Sequence, residues 1–274
     1  LNIERFFMEN TNKLKNSKEI WIYLILRILV IITLIIQLVR GNWENAFLCI
    51  LTLFLFCIPS LINHKLNIKL PSVLEIIIFV FIFSAEILGE IQNFYGIFKN
   101  WDTILHTING FLCSAIGFSM VDILNKNRKS YFKMTPIFVV LVAFYFSMTI
   151  GVLWEFTEYA IDNTLTKDMQ KDRIVTKISS VLLNEENKNK PIVIENIEKT
   201  VIYSKDNEGK RIEFEIENGY LDIGLKDTMK DLIVNFIGAL TFSFIGMLYI
   251  KNRDNYKFTE LFLPVIKEVE NNKE

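Results

Sequence analysis

The sequence predicts an all-α polytopic membrane protein, a six-helix transmembrane bundle with a small α+β extracytoplasmic insertion between helices five and six. Three observations predict it. Hydrophobic residues make up 51% of the 274 residues and 23 of them are phenylalanine, which is more apolar surface than one soluble core buries. Apolar runs long enough to cross a bilayer recur along the chain. The remaining charges are grouped between these runs.

Residues 1–19 come before the first apolar run and are predicted to form an amphipathic segment on the cytoplasmic membrane surface. Ile3, Phe6 and Phe7 stand among Glu, Asn and Lys, a pattern typical of helices that lie in the interface. These charges exclude the apolar core of a cleavable signal peptide.

Six apolar runs are the predicted membrane spans. They cover residues 20–39, 46–63, 71–91, 104–124, 135–159 and 231–250. Helices one to five therefore occupy residues 20–160 and helix six residues 228–250. Small residues four apart, Gly110 with Ser114 and Ala239 with Ser243, predict a close approach of spans 4 and 6.

Lysine and arginine in the short connections predict the orientation. Positive residues precede span 1, join spans 2 and 3, join spans 4 and 5, and follow span 6, whereas the alternate short connections carry only Arg40 and Lys99. Cytoplasmic loops hold the positive excess. Both termini are therefore predicted to be cytoplasmic, with residues 251–274 as a cytoplasmic tail.

Residues 161–227 are predicted to form the extracytoplasmic module. We expect an amphipathic helix around residues 166–183, followed by strands at 191–204 and 211–223 that are rich in Ile, Val, Tyr and Phe. The Asp-Asn-Glu-Gly sequence at 206–209 is a hairpin turn signal.

Pairs of ionisable residues lie at the ends of spans 3 and 5 and at the starts of spans 4 and 6. The predicted topology places all of these ends at the outer face, and the three- or four-residue spacing places each pair on one side of its helix. A further pair lies in the module. The pairs are Glu86/Glu90, Asp102/His106, Glu155/Glu158, Asp227/Asp231 and Asp168/Asp172.

Ionisable residues at membrane depth are costly and indicate function. Oxygen ligands with one imidazole favour Mg, Mn, Ca or non-haem Fe, and such a set also holds catalytic Zn. The predicted metal ligands are Asp102, His106, Glu155, Asp227, Asp231, Glu86, Glu90, Asp168 and Asp172. Glu158 is the predicted general base. The alternative interpretation is that these residues are solvated helix ends that complement the helix dipoles.

Four segments of the sequence resemble a known family. They are Trp101-Asp-Thr-Ile-Leu-His106-Thr-Ile-Asn-Gly110, Trp154-Glu-Phe-Thr-Glu158, Asp168-Met-Gln-Lys-Asp172 and Asp227-Thr-Met-Lys-Asp231-Leu-Ile-Val-Asn-Phe-Ile-Gly238. Over roughly residues 40–250 the chain resembles the uncharacterised bacterial multi-pass inner-membrane proteins typified by YjdF, in their longer Gram-positive form. The resemblance implies a location in the bacterial cytoplasmic membrane and implies no activity.

The residues support three hypotheses about function. The first is a metal-dependent hydrolase that acts on a lipid or envelope substrate at the outer membrane face. The second is a cation or proton-coupled transporter. The third is an envelope scaffold or sensor without catalysis. The lipid bilayer is the predicted partner, and a net charge of −1 gives no indication of nucleic-acid binding. The sequence predicts neither the oligomeric state nor whether the protein is an enzyme.

Overall fold

The computed structural model describes residues 18–65, 68–126, 134–165, 167–185 and 189–266. Nearly all of the predicted N-terminal amphipathic segment, residues 1–17, lies outside the described residues. Six described helices are long and apolar enough to cross a membrane, and they confirm the predicted number of spans. The spans are Ile20–Val39, Trp43–Asn63, Ser72–Ile91, Trp101–Asn125, Pro136–Leu165 and Leu225–Lys251.

The secondary-structure elements are labelled in chain order. The helices are α1 Lys18–Val39, α2 Trp43–Leu55, α3 Ile58–Lys65, α4 Ser72–Phe83, α5 Phe94–Ile97, α6 Trp101–Lys126, α7 Pro136–Leu165 and α8 Leu225–Lys251. A π-helix, Ser84–Ile91, continues α4, and a 3-10 helix covers Lys257–Phe262. The strands are β1 Ile68–Lys69, β2 Arg173–Val175, β3 Ile178–Ser180, β4 Ile192–Ile194, β5 Lys199–Lys205, β6 Arg211–Glu217, β7 Tyr220–Asp222 and β8 Val265–Ile266.

Spans 4 and 6 begin earlier than their apolar runs. Their helices start at Trp101 and Leu225, whereas the apolar runs start at residues 104 and 231. Asp102 and Asp227 lie in the first turns, where a carboxylate interacts favourably with the unpaired N–H groups of the helix. A prediction from hydropathy alone omits this polar first turn and places the start of the helix too late.

The chain forms two compact units, which share the helices of spans 5 and 6. We call Leu1–Gly151 with Val234–Glu274 the helical unit and Val152–Ile233 the mixed unit. In the helical unit, Val30, Cys49, Phe56, Phe79 and Ile87 form one buried cluster across spans 1 to 3. A second cluster joins spans 4, 5 and 6 and includes Phe118, Ala143, Phe242 and Leu263.

Within the helical unit, spans 4 and 6 touch backbone to backbone. A Cβ on Gly110 would lie 2.1 Å from the carbonyl oxygen of Asn235, and one on Gly238 would lie 2.1 Å from the carbonyl oxygen of Thr107. Further along, the hydroxyl oxygens of Ser114 and Ser243 are 3.1 Å apart. The predicted close approach of these two spans is confirmed.

The chain after span 6 folds back onto the helical unit. Arg253 donates to Asp122 at 2.7 Å, and β8 pairs antiparallel with β1, with Lys69 opposite Val265. Leu263 is buried in the core. The described part of the predicted tail is therefore an ordered component of the helical unit.

The inserted part of the mixed unit consists of short antiparallel pairs: β2 with β7, β3 with β4, and β5 with β6. The helix predicted around residues 166–183 is wrong, because β2 and β3 occupy this segment. The β-branched residues of this segment form backbone hydrogen bonds with strands that come later in the chain. This tertiary pairing outweighs the helical spacing of its apolar residues. The hairpin turn at 206–209 is confirmed, since Lys205 pairs with Arg211 and Gly209 has a φ of 81°.

We expect Gly238→Ala to destabilise the protein by about 1–3 kcal/mol, because the added methyl group collides with the backbone of span 4. Leu240→Ala, at a side chain 46% exposed on the same helix, is the control and should lose far less. Unfolding by denaturing detergent measures both. Equal losses in the two variants would contradict the close approach.

Candidate functional site

Span 4 of the helical unit brings Asp102 and His106 together. The Nε2 of His106 lies 3.3 Å from Oδ1 of Asp102, and His106 is buried with 8% of its surface exposed. When the ring is neutral with its proton on Nε2, that N–H can donate to the carboxylate and the lone pair is on Nδ1. Metal-binding histidines are commonly held by a carboxylate in this way.

Glu86 and Glu90 lie in the π-helix at the end of span 3. Glu86 is half-buried and Glu90 is exposed. The sequence prediction assumed α-helical spacing, in which residues four apart stack on one side. In a π-helix the hydrogen bonds run from i to i+5, so four residues make nearly one full turn and the two side chains still lie on one side of the helix.

Four carboxylates that belong to the mixed unit are buried, at the ends of two membrane-spanning helices. Glu155 and Glu158 lie in α7 and are 4% and 7% exposed, while Asp227 and Asp231 lie in α8 and are 2% and 1% exposed. Burying an ionised carboxylate costs several kcal/mol unless cations or hydrogen-bond donors compensate it.

Asp227 is compensated by two cations and a backbone donor. Nη2 of Arg173 donates to its Oδ1 at 2.5 Å, and the backbone N–H of Lys171 donates to its Oδ2 at 2.9 Å. The Nζ of Lys230 lies 3.6 Å from Asp227 and 3.2 Å from Asp231. Asp227 thus ties the start of α8 to β2.

The sequence analysis did not identify Arg173 or Lys230 as part of this network. Lys230 lies between the two aspartates in sequence, three residues after Asp227, so helical spacing could have predicted its contact with Asp227. Arg173 lies 54 residues from Asp227, and only the pairing of β2 with β7 brings it near. A pattern of neighbouring residues cannot predict a contact between residues so far apart in the sequence.

The indole N–H of Trp154 donates to Oε1 of Glu158 at 2.8 Å. The two residues are four apart on α7, so one turn of helix sets the geometry. Sequence analysis identified Glu158 as the general base but did not predict that Trp154 is its hydrogen-bond donor. The hydrogen bond fixes the orientation of the Glu158 carboxylate.

Asp168 and Asp172 lie in an irregular segment before β2 and are exposed. The backbone N–H of Asp172 donates to Oδ1 of Asp168 at 3.3 Å. Loss of hydration, followed by repulsion from Asp168, Asp162 and Asp222, raises the pKa of Asp172 above its ordinary value. These carboxylates are therefore close enough to disfavour full ionisation.

Comparison with known proteins places the chain among uncharacterised membrane proteins. A family model described as "Predicted membrane protein (DUF2238)" matches residues 20–252. An uncharacterised protein of Thermotoga maritima is 32% identical over 104 residues, which are 38% of this chain and 50% of that protein. The chain thus spans about half the length of this curated relative. No solved structure matches the chain.

We expect Arg173→Ala to lower the free energy of unfolding by about 1.5–3 kcal/mol, because a buried carboxylate loses a charged hydrogen-bond donor. The control is Lys177→Ala. Lys177 pairs with Glu195, and these side chains are 61% and 57% exposed, so its loss should change stability by at most about 0.5 kcal/mol. Chemical unfolding of both variants in detergent tests this, and similar values would contradict a buried role for Arg173.

We expect Asp172→Asn to raise the melting temperature at neutral pH, because it removes one of several mutually repelling carboxylates. A carboxyl group whose folded pKa is raised lowers stability as the pH rises through that pKa. The gain over wild type should therefore shrink when the pH falls below the pKa of Asp172. Glu208→Gln, at an exposed hairpin position, is the control. A gain that stays constant with pH would contradict the electrostatic cause.

Proposed function

Since the chain belongs to the family "Predicted membrane protein (DUF2238)", an integral membrane family without an assigned activity, we propose that its buried carboxylates bind a divalent cation and that the protein hydrolyses a lipid or envelope substrate. The bilayer is the partner that membership and the six apolar helices establish. Binding of the cation, hydrolysis and the class of substrate are what we propose.

The observation that carries the proposal is the burial of Glu155, Glu158, Asp227 and Asp231 within one compact unit. Two of the four, Asp227 and Asp231, share Lys230, and Asp227 also binds Arg173. A divalent cation at this set balances negative charge that would otherwise repel in a poorly hydrated place.

The donor set determines which ions fit. Carboxylate oxygens suit the hard cations Mg²⁺, Mn²⁺ and Ca²⁺. If His106 is a ligand as the sequence predicts, imidazole also admits Fe²⁺ and Zn²⁺. We propose Glu155 and Asp231 as the principal ligands of the mixed unit.

The remaining residues have different roles in this proposal. Asp227 is a positioning residue, because its oxygens already accept from Arg173 and Lys171. Glu158 is the general base, and the indole of Trp154 orients it toward the proton that it accepts from water. The cation supplies Lewis acidity, which polarises the substrate and lowers the pKa of water.

The location of the chemistry is also part of the proposal. The loop charges favour an orientation with both termini in the cytoplasm, which would place the carboxylates at the outer face of the cytoplasmic membrane. We further propose that the chain is the longer Gram-positive form of the proteins typified by YjdF. The substrates accessible there are lipids and envelope polymers.

The metal content of purified protein tests the proposal. After incubation with Mn²⁺ and removal of excess ion, we expect about one equivalent of metal per chain in the wild type and at least a tenfold loss in the double variant Glu155→Gln, Asp231→Asn. The matched control changes Glu198→Gln and Glu208→Gln, two exposed acids of the same unit. Elemental analysis and the Mn²⁺ paramagnetic resonance signal measure binding without an assay of activity.

A second double variant, Asp102→Ala with His106→Ala, tests the sequence prediction that this pair also binds metal. Loss of metal in this variant would add the pair to the ligand set, and unchanged metal would remove it. A wild-type protein that binds no metal would end the proposal. Cation flux into liposomes that depends on Glu155 would favour the transporter hypothesis instead.

A further inference from the structure

A groove in the helical unit runs between spans 3 and 4. Its volume is about 430 Å³ and its walls are almost entirely apolar. Ile77 and Val80 line it from span 3, and Ile104 and Ile108 line it from span 4. Phe262, from the segment that folds back after span 6, also contributes to the wall.

The dimensions of the groove fit a single hydrocarbon chain. On span 4 it extends from Trp101 to Leu112, which at 1.5 Å per residue is roughly 16 Å. Its volume lies in the range of small-molecule sites, about 300–1,000 Å³. An apolar groove of this length suits an extended chain better than a compact ring system.

The groove opens toward the lipid. Its rim residues Val80 and Ile104 are 43% and 51% exposed, whereas Leu105 and Leu112 are both 6% exposed. These residues lie on membrane-spanning helices, so the exposed rim is in contact with hydrocarbon. Water does not fill a purely apolar groove, and an empty groove would forfeit dispersion contacts with its walls.

One end of the groove is formed by a fixed tryptophan. The indole N–H of Trp101 donates to the carbonyl oxygen of Ser84 at 3.2 Å. Its ring packs edge-on against Phe94, with centroids 4.9 Å apart. Lys99 precedes Trp101 by two residues, is exposed, and is the sole cationic residue between residues 92 and 100. The groove therefore ends at an aromatic residue that is two positions along the chain from an exposed cation.

We propose that this groove binds one acyl chain of an anionic phospholipid, whose phosphate lies at Lys99. Apolar walls of this length select an acyl chain, and the lysine selects a negative head group. The site is distinct from the Asp102/His106 pair. Neither of those two side chains lines the groove, and at about 100° per residue His106 points to the other side of span 4 from the groove residue Ile108. The inference does not depend on metal binding or hydrolysis.

Lipid retention by the full chain tests the proposal. Protein purified in mild detergent is exposed to phosphatidylglycerol or phosphatidylcholine, washed, and analysed by native mass spectrometry. We expect the wild type to retain one phosphatidylglycerol, and Ile104→Trp, which fills the groove, to retain at least tenfold less. Ile237→Trp is the matched control, because Ile237 is also 51% exposed but lies on span 6 outside the groove.

Lys99→Ala tests whether the lysine selects the anionic head group. Lys99→Ala should retain either lipid about equally, having lost the preference for phosphatidylglycerol. Val80→Trp fills the same groove from span 3 and decides the result if Ile104→Trp does not fold. Equal retention by the groove variant and the Ile237→Trp control, or a wild type that retains no lipid, would overturn the proposal.

Discussion

The contact on which the helical unit depends is the backbone approach of spans 4 and 6 at Gly110 and Gly238. Apolar side chains gain little by leaving lipid for one another, so membrane helices associate through close packing and hydrogen bonds. Here the packing is as close as a backbone allows, since any Cβ at either glycine would meet a carbonyl oxygen at 2.1 Å. Further along the same two helices larger side chains pack across the contact, where the ring centroids of Phe111 and Phe242 are 5.0 Å apart.

Asn235 extends this contact to span 5. It is 1% exposed, and its Oδ1 accepts from Asn109 at 3.4 Å. Its Nδ2 lies 3.5 Å from the carbonyl oxygen of Ser147, and Gly151 has no side chain to displace it. One amide side chain therefore interacts with both neighbouring spans. In a medium without water such an amide must find its partners within the protein.

Hydropathy and helical spacing predicted the six spans correctly. Both signals depend only on residues that are close together in the sequence. The spacing of Asp102 and His106 correctly indicated a pair on one side of a helix, whose atoms lie 3.3 Å apart. The same rule failed for Asp168 and Asp172, because they lie in an irregular segment before β2, and β2 pairs with a strand about 50 positions away. At Glu86 and Glu90 the spacing rule holds although the helix there is a π-helix, which hydropathy does not predict. Metal binding remains a prediction.

The pairing of β8 with β1 has a consequence for biosynthesis. Residues Ile68 and Lys69 enter the nascent chain roughly 200 positions before their partners Val265 and Ile266. At about 5–20 residues per second, the ribosome supplies the second strand some 10–40 seconds after the first. Spans 3 to 6 are synthesised during that interval, and the strand pair that closes the helical unit forms only after it. The helical unit is thus completed only after span 6 has been synthesised, so a chain that terminates before Leu263 lacks both this strand pair and that residue of the core.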